Sequence, residues 1–324
     1  MITLESKLSD IIGARKRRVG PRVGIELEYE GFSAERFRDS GVGARNWYMD
    51  NDPSLRGGGI EFISTILLPG SVPGALEEAG TMIKASHARG TPRCGVHVHV
   101  NMSDLRMYQI WNTLVLYVLA EPTVFKQFAD GRENSHFCVP MWANAVFAQT
   151  IYNDIRKLRN GVEMKGVGES RMAKARRAVQ RAQGLEEFAR DREVVNPVFG
   201  DVVEEPVGRQ LGIFQGVKYS AMNCRTLATL GTLEFRQHPA TTDMGKVQAW
   251  VDFLLRLRHT AIDYKDPLDV LNEYDASGLQ GVREQLGLEH PDIDHLDQEE
   301  ALDVATMAAG HVPQPWQELE WEIK

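Results

Sequence analysis

Four short runs of this sequence set ionisable side chains against apolar ones. In VGIELEYEG, Val23, Ile25, Leu27 and Tyr29 alternate with Gly24, Glu26, Glu28 and Glu30, the period-2 pattern of a strand with one buried face. In GIEFIS, Glu61 stands between Ile60 and Phe62. In GVHVHV, His97 and His99 alternate with Val96, Val98 and Val100. In TLEFRQH, Glu234 and Arg236 share a face opposite Leu233 and Phe235. Same-face neighbours on a strand are ~7 Å apart, two rises of ~3.3 Å. Carboxylates that close raise one another's pKa and destabilise the fold unless water or a cation compensates. For any one run the plain reading is a solvated sheet face. If the four strands form one sheet with a single buried side, all of these groups line the other side together. A face rich in carboxylate and free of Cys suits Mg²⁺ or Mn²⁺, hard ions that also bind polyphosphate, better than structural zinc. The single Arg among acids offers a planar, permanently charged fork for a phosphoryl group.

The elements that must position these groups can be sketched from the same patterns. Residues 3–17 read as a short amphipathic helix ending in RKRR. Strands are expected near 23–30, 59–67 and 93–101, and two more around a Gly231 turn in VKYSAMNCRTLATLGTLEFRQHP. The stretch between the first two strands, to Gly59, reads as turns. Helices are expected over 75–88 and over 243–262, the latter amphipathic. A third, apolar-faced helix starts after Asn101 or Ser103 as cap and is split by Pro122 from a second one running to about Asp130. Residues 154–192, dense in Arg and Lys, read as an exposed helical insertion. These readings divide the chain into an N-terminal helix (1–19), a catalytic or binding body (20–262, with 103–192 a largely helical insertion) and an acidic helical appendage (263–324).

Charge follows that division. The chain of 324 residues carries a net −8, yet residues 261–324 hold 16 Asp/Glu against 3 Lys/Arg, and the rest holds 34 Lys/Arg against 29 Asp/Glu. A mildly basic body with an overall acidic balance gives no case for a nucleic-acid binder. No run reaches the ~18–20 apolar residues of a membrane span. The N-terminus has early acidic residues and no small-residue cleavage site, so no signal peptide is expected. Three widely spaced cysteines, Cys94, Cys138 and Cys224, suit a reducing cytoplasm and read as small buried residues rather than nucleophiles. GGG at 57–59 lacks the Lys-Ser/Thr of a phosphate loop and reads as a tight turn into the Glu61 strand. His136, His238 and His259 read as surface or rim histidines.

Taken in order, GIELEYE, NDPSL, GGGIEFIS, CGVHVHV and GTLEFRQHPATTD resemble the motifs of the amidoligase family. These are carboxylate–amine ligases of the glutamine synthetase and glutamate–cysteine ligase superfamily, and the resemblance covers residues 20–260. It implies an α+β, glutamine-synthetase-like catalytic fold: a mostly antiparallel curved sheet with helices packed on its apolar face. It implies ATP and Mg²⁺ (or Mn²⁺) as cofactors, a carboxylate substrate and an amine donor as partners, a peptide or protein among the candidates, and amide formation through an acyl phosphate. By the same resemblance Glu26, Glu28, Glu61, His97 and Glu234 would hold metal. His99 and Arg225 would contact the nucleotide, Arg236 would stabilise the transferring γ-phosphate with Glu234 beside it, and Asp52 and Arg132 would face substrate. The sequence departs from the family where VNMSDL follows the second histidine and where QHPATTD follows the last motif, which leaves the acid and the amine unnamed. Two other readings compete: a zinc hydrolase using His97 and His99, and a non-catalytic binding or assembly module on the same fold.

Overall fold

The computed structural model describes residues 5–12, 18–129, 131–133, 135, 138–142, 220–289, 293 and 295–311. The basic segment 154–192 and His136 lie outside them. Six strands form one antiparallel sheet: β1 (Val23–Tyr29), β2 (Trp47–Asn51), β3 (Ile60–Ser64), β4 (Gly95–Asn101), β5 (Met222–Asn223) and β6 (Thr232–Pro239), in the order β2-β3-β1-β4-β6-β5. The four runs that carry the ionisable residues are neighbours in its centre. Their apolar sets, Ile25, Leu27, Phe62, Val96, Val98, Val100, Leu233 and Phe235, are fully buried on one side. The fold is therefore α+β with an antiparallel sheet, and the one-sided burial is what the alternation requires.

Eight α-helices accompany the sheet among the described residues. They are α1 (Leu8–Ile12), α2 (Ala34–Asp39), α3 (Val72–Ser86), α4 (Met107–Phe128), the single turn α5 (Thr226–Thr229), α6 (Met244–Asp263), α7 (Pro267–Leu286) and α8 (His295–His311). The side chain of Asp243 caps α6 through the Gly245 N–H at 3.0 Å, satisfying one orphan donor of its first turn. α4 and α6 pack together beneath the sheet, with α3 beside α6, and α7 and α8 close over the far side of α4. The acidic C-terminal segment thus supplies two helices to the core, through Val270, Leu271, Val282, Leu286, Ala301, Val304, Ala305 and Ala308.

Four expectations are corrected here. The turn-rich stretch before Gly59 contains α2 and the edge strand β2. Pro122 does not split α4, which runs unbroken from Met107 to Phe128. A mid-helix proline costs ~3 kcal/mol, but each buried Leu or Val returns ~1.5–3 kcal/mol. Val115, Leu116, Val118 and Leu119, all fully buried, outweigh the proline. Gln298 of α8 also donates to the Leu119 carbonyl in the turn before it. Neither Asn101 nor Ser103 caps the helix. Arg106 is its N-cap, with Gln109 Oε1 accepting from the Arg106 N–H, while the Asn101 amide donates to the Arg18 and Gly20 carbonyls and to Asp104. Nor is α4 one-sided: it is buried nearly all round, because sheet and helices enclose it. Among the described residues no helix is long and apolar enough to cross a membrane.

Full enclosure explains a buried acid. Glu121 of α4 is 0% exposed and accepts from the Met141 and Trp142 N–H groups at 2.8 and 3.4 Å. Burial pushes its carboxyl up to about 8, against the smaller opposing pull of these bonds and of the Tyr117 hydroxyl. A raised folded-state pKa adds stability that is complete below the unfolded value, 4.5, and is lost as pH rises through about 8. Glu121→Gln is therefore expected to be more stable than wild type at pH 8–9 by on the order of a few kcal/mol. It should also flatten the fall in urea midpoint between pH 5 and 8. Equal midpoints at both pH values for the two proteins would contradict this.

Candidate metal centre

The open side of the sheet carries the ionisable groups in cross-strand rows. Glu28 on β1 is opposite Glu61 on β3, which is opposite Asp50 on β2. Glu26 is opposite His97 on one side and Ile63 on the other, and Ile63 is opposite Tyr48. Gly24 is opposite His99, His99 opposite Glu234 on β6, and Glu234 opposite Asn223 on β5. Register slips between Val96 and Val98, where β6 places both Arg236 and Gln237 against His97. Such a bulge re-aims side chains. Here it keeps Arg236 on the site face, paired with Glu234, while Gln237 reaches the Tyr117 hydroxyl in the core.

The side chains converge. His97 is 4% exposed; its Nδ1 lies 3.3 Å from Glu26 Oε2 and 3.8 Å from Glu234 Oε1, and its Nε2 lies 3.6 Å from Glu28 Oε1. His99 Nε2 meets Glu26 Oε1 at 3.1 Å and its Nδ1 meets Thr232 Oγ1 at 3.1 Å. Glu28 Oε2 accepts the Gly95 N–H at 2.7 Å, and Glu234 Oε2 accepts from the Asn223 amide at 2.6 Å. A Cβ on Gly95 would be tight in this packing, 3.0 Å from His97 Nε2 and 3.4 Å from Glu28 Oε2, so those side chains would have to give by a few tenths of an ångström. Two sets of donors, Glu26–Glu61–His97 and Glu26–His99–Glu234, each bring one ligand atom per residue within 4.8 Å of the others. Carboxylate oxygens with one imidazole per set suit a hard or borderline divalent cation.

The electrostatics favour a cation as well. Burial raises the Glu26 carboxyl, but hydrogen bonds from His97 and His99 outweigh burial and hold it well below the usual carboxylate range. Burial would lower His99; the bond to Glu26 together with the charges of Glu26 and Glu234 outweighs it and raises the imidazole above its ordinary value. Glu61 goes the other way: burial, then the charges of Glu26, Glu28 and Asp52, push it up to about 8, with Arg236 the opposing influence. Like charges crowded into one face repel, and a divalent ion among them relieves that repulsion.

The remaining expected residues are distributed less centrally. Asp52 caps its own turn, accepting the Ser54 N–H at 2.8 Å, close enough to Glu61 to act on its charge. Arg225 is exposed, its N–H on Asn223 Oδ1 at 3.0 Å, and it stands outside both donor sets. Arg132 is 9% exposed and donates to the Cys94 carbonyl at 2.7 Å, next to the start of β4. His238 is not a rim residue: it is buried on the core side near Trp250, and burial depresses it to about 4. All three cysteines are buried and free. Asn223 and Thr232 escaped the reading because their roles come from cross-strand pairing with Glu234 and His99. Asp50 escaped it because β2 was unseen. No family model and no curated protein matches the chain, so the chemistry of this face rests on its own residues.

Proposed function

We propose that the chain is an ATP- and divalent-metal-dependent carboxylate–amine ligase. The observation that carries this reading is the pair of donor sets sharing Glu26, with Arg236 beside them on the same open sheet face. A metal bound by Glu26, Glu61 and His97, or by Glu26, His99 and Glu234, would offset the charge repulsion between polyphosphate and a substrate carboxylate. The chain's own groups do the rest. Glu234 and the bulge hold the Arg236 guanidinium on the site face, where it takes the equatorial oxygens of the transferring phosphoryl group. His99, fixed between Glu26 and Thr232, presents its ring edge to the nucleotide. A carboxylate oxygen of the acid substrate attacks the γ-phosphorus as the bond to ADP breaks, giving an acyl phosphate. The amine then attacks the acyl carbon, phosphate leaves with the carbonyl–phosphate oxygen, and the amine proton passes to solvent.

The test is thermal unfolding with and without Mg²⁺ and ATP. Ligand at ~100 times its Kd stabilises by ~2.7 kcal/mol, so Mg·ATP together is expected to raise Tm by a few degrees, and ATP with EDTA is not. With a carboxylate labelled by ¹⁸O as substrate, label should appear in the released phosphate. Tight stoichiometric zinc would sink the ligase reading in favour of a zinc hydrolase. No response to Mg·ATP would favour a non-catalytic module.

A further inference from the structure

β2 forms one end of the sheet, and among the described residues no strand pairs with its outer side. The Thr65 N–H donates to the Asn46 carbonyl at 2.7 Å, just before β2 pairs residue for residue with β3. Antiparallel ladders alternate hydrogen-bonded with non-bonded pairs. Tyr48 and Asp50 therefore turn their main-chain groups inward to β3, and Trp47, Met49 and Asn51 turn theirs outward. In the single chain the Asn51 N–H bonds to the Asp50 carboxylate at 2.8 Å, a side-chain substitute for a missing strand. Sheet edges are commonly blunted by lysine, proline or a bulge. β2 carries neither lysine nor proline, and its register with β3 is unbroken. It exposes instead two consecutive large apolar side chains, Tyr48 at 65% and Met49 at 40%.

Those two side chains say what covers the edge. Tyr48 is opposite Ile63 and lies on the open face with Asp50, whereas Met49 is opposite Phe62 and lies on the helix side. A small ligand resting on the open face would cover the tyrosine alone. A strand laid along the edge covers both, and it pairs the outward main-chain groups as well. β2 itself is such a strand. Two copies related by a two-fold axis normal to the sheet at Met49 pair antiparallel over all five residues of β2. Met49 then meets Met49, Trp47 meets Asn51, and Tyr48 meets Asp50. Every hydrogen-bonded pair joins two outward-facing residues, and each Tyr48 hydroxyl stands beside a carboxylate of the other copy. The neighbouring two-fold registers are worse. One sets Asp50 against Asp50, like charges directly opposite. The other carries Asp50 and Asn51 beyond the end of the other copy's strand.

We infer that β2 is a self-pairing edge that joins the sheets of two copies of this chain into one, with both open faces on the same side. The pairing does not depend on what the open face catalyses. With five residues a side it falls among interfaces below ~1,200 Å², the weak class. Sedimentation equilibrium from ~5 to ~300 µM is expected to show monomer passing to dimer with a Kd on the order of 10–100 µM. Tyr48→Glu sets a carboxylate against Asp50, twice over by symmetry, and should weaken the dimer by about tenfold or more. Tyr48→Lys sets an ammonium there and should hold the dimer at least as tightly as wild type. Tyr48 is exposed, so both variants should melt as wild type does. Met49→Pro removes an outward N–H without touching a bond to β3, and should leave monomer at every concentration. A wild type that stays monomeric at ~300 µM would overturn the inference. So would equal weakening by Tyr48→Glu and Tyr48→Lys, or a dimer that Tyr48→Glu leaves intact, since either would place the contact elsewhere. Slow hydrogen exchange at the Met49 amide in a monomer would overturn it too, by assigning the edge to another segment of the same chain.

Discussion

Arg236→Ala is expected to reduce ATP turnover by about 10³-fold or more while the protein still unfolds in a single cooperative transition. A guanidinium that stabilises a transferring phosphoryl group contributes ~10³–10⁵ in rate, whereas removing an exposed cation would change little. Arg236 is not exposed: its side chain is 11% accessible and paired with Glu234. The fold should survive because Leu233 and Phe235, on the opposite face of β6, carry the packing and remain fully buried. Glu234 also keeps the Asn223 amide as a partner. Some stability is lost, since a carboxylate among carboxylates loses its nearest cation. Arg236→Lys separates charge from geometry. It restores a positive charge but not the two-pronged donor, so it should recover Mg·ATP binding with little of the turnover. The check is steady-state ADP release alongside far-UV circular dichroism and a urea melt. Turnover retained in Arg236→Ala would remove this residue from the reaction, and loss of cooperative unfolding would mean that the face assignment of β6 is wrong.

How far this was legible beforehand depended on which forces act locally. Alternation along a strand is local, so the assignment of Glu26, Glu61, His97, His99, Glu234 and Arg236 to one face follows from sequence alone, and the sheet puts them there. Pairing between strands is not local. That Asn223 supports Glu234, that Thr232 fixes His99 and that Asp50 faces Glu61 depends on register, which nothing in those segments announces. The helix through Pro122 misled for a related reason. A proline's cost is visible in sequence, but the burial that outweighs it comes from α7 and α8, more than 130 residues away. The same two helices looked like an acidic appendage because acidic residues far outnumber basic ones there, while the alanines, valines and leucines that bury them carry no such signal. Arg225 and Arg132 stand outside the two donor sets: one is exposed and the other donates to a backbone carbonyl.

Glu61→Gln is expected to separate the stability of the metal-free protein from its response to metal. In wild type without metal, Glu61 faces Glu28 and Asp50 across the sheet, and burial with neighbouring charge lifts it to about 8. Its contribution to stability is full below the unfolded value of 4.5 and falls away as pH rises through about 8. Because the group is partly solvated, the loss at pH 8 is taken as about 1–2 kcal/mol, less than the shift alone would give. Glutamine removes the repulsion, so in EDTA at pH 8 the variant should be the more stable protein by about that amount. It also removes one donor of the Glu26–Glu61–His97 set. Saturating Mg²⁺ should therefore raise the urea midpoint of wild type at pH 8 and raise that of Glu61→Gln much less, bringing the two together or reversing their order. Glu121 titrates in the same window, but from within α4, and no ion on the open face reaches it. Making both measurements in a Glu121→Gln background leaves Glu61 as the group that reports. Identical responses to Mg²⁺ in the two proteins would refute a metal role for Glu61. A crossover would tie the destabilising crowding of this face to the ion that relieves it, which a solvated acidic surface does not predict.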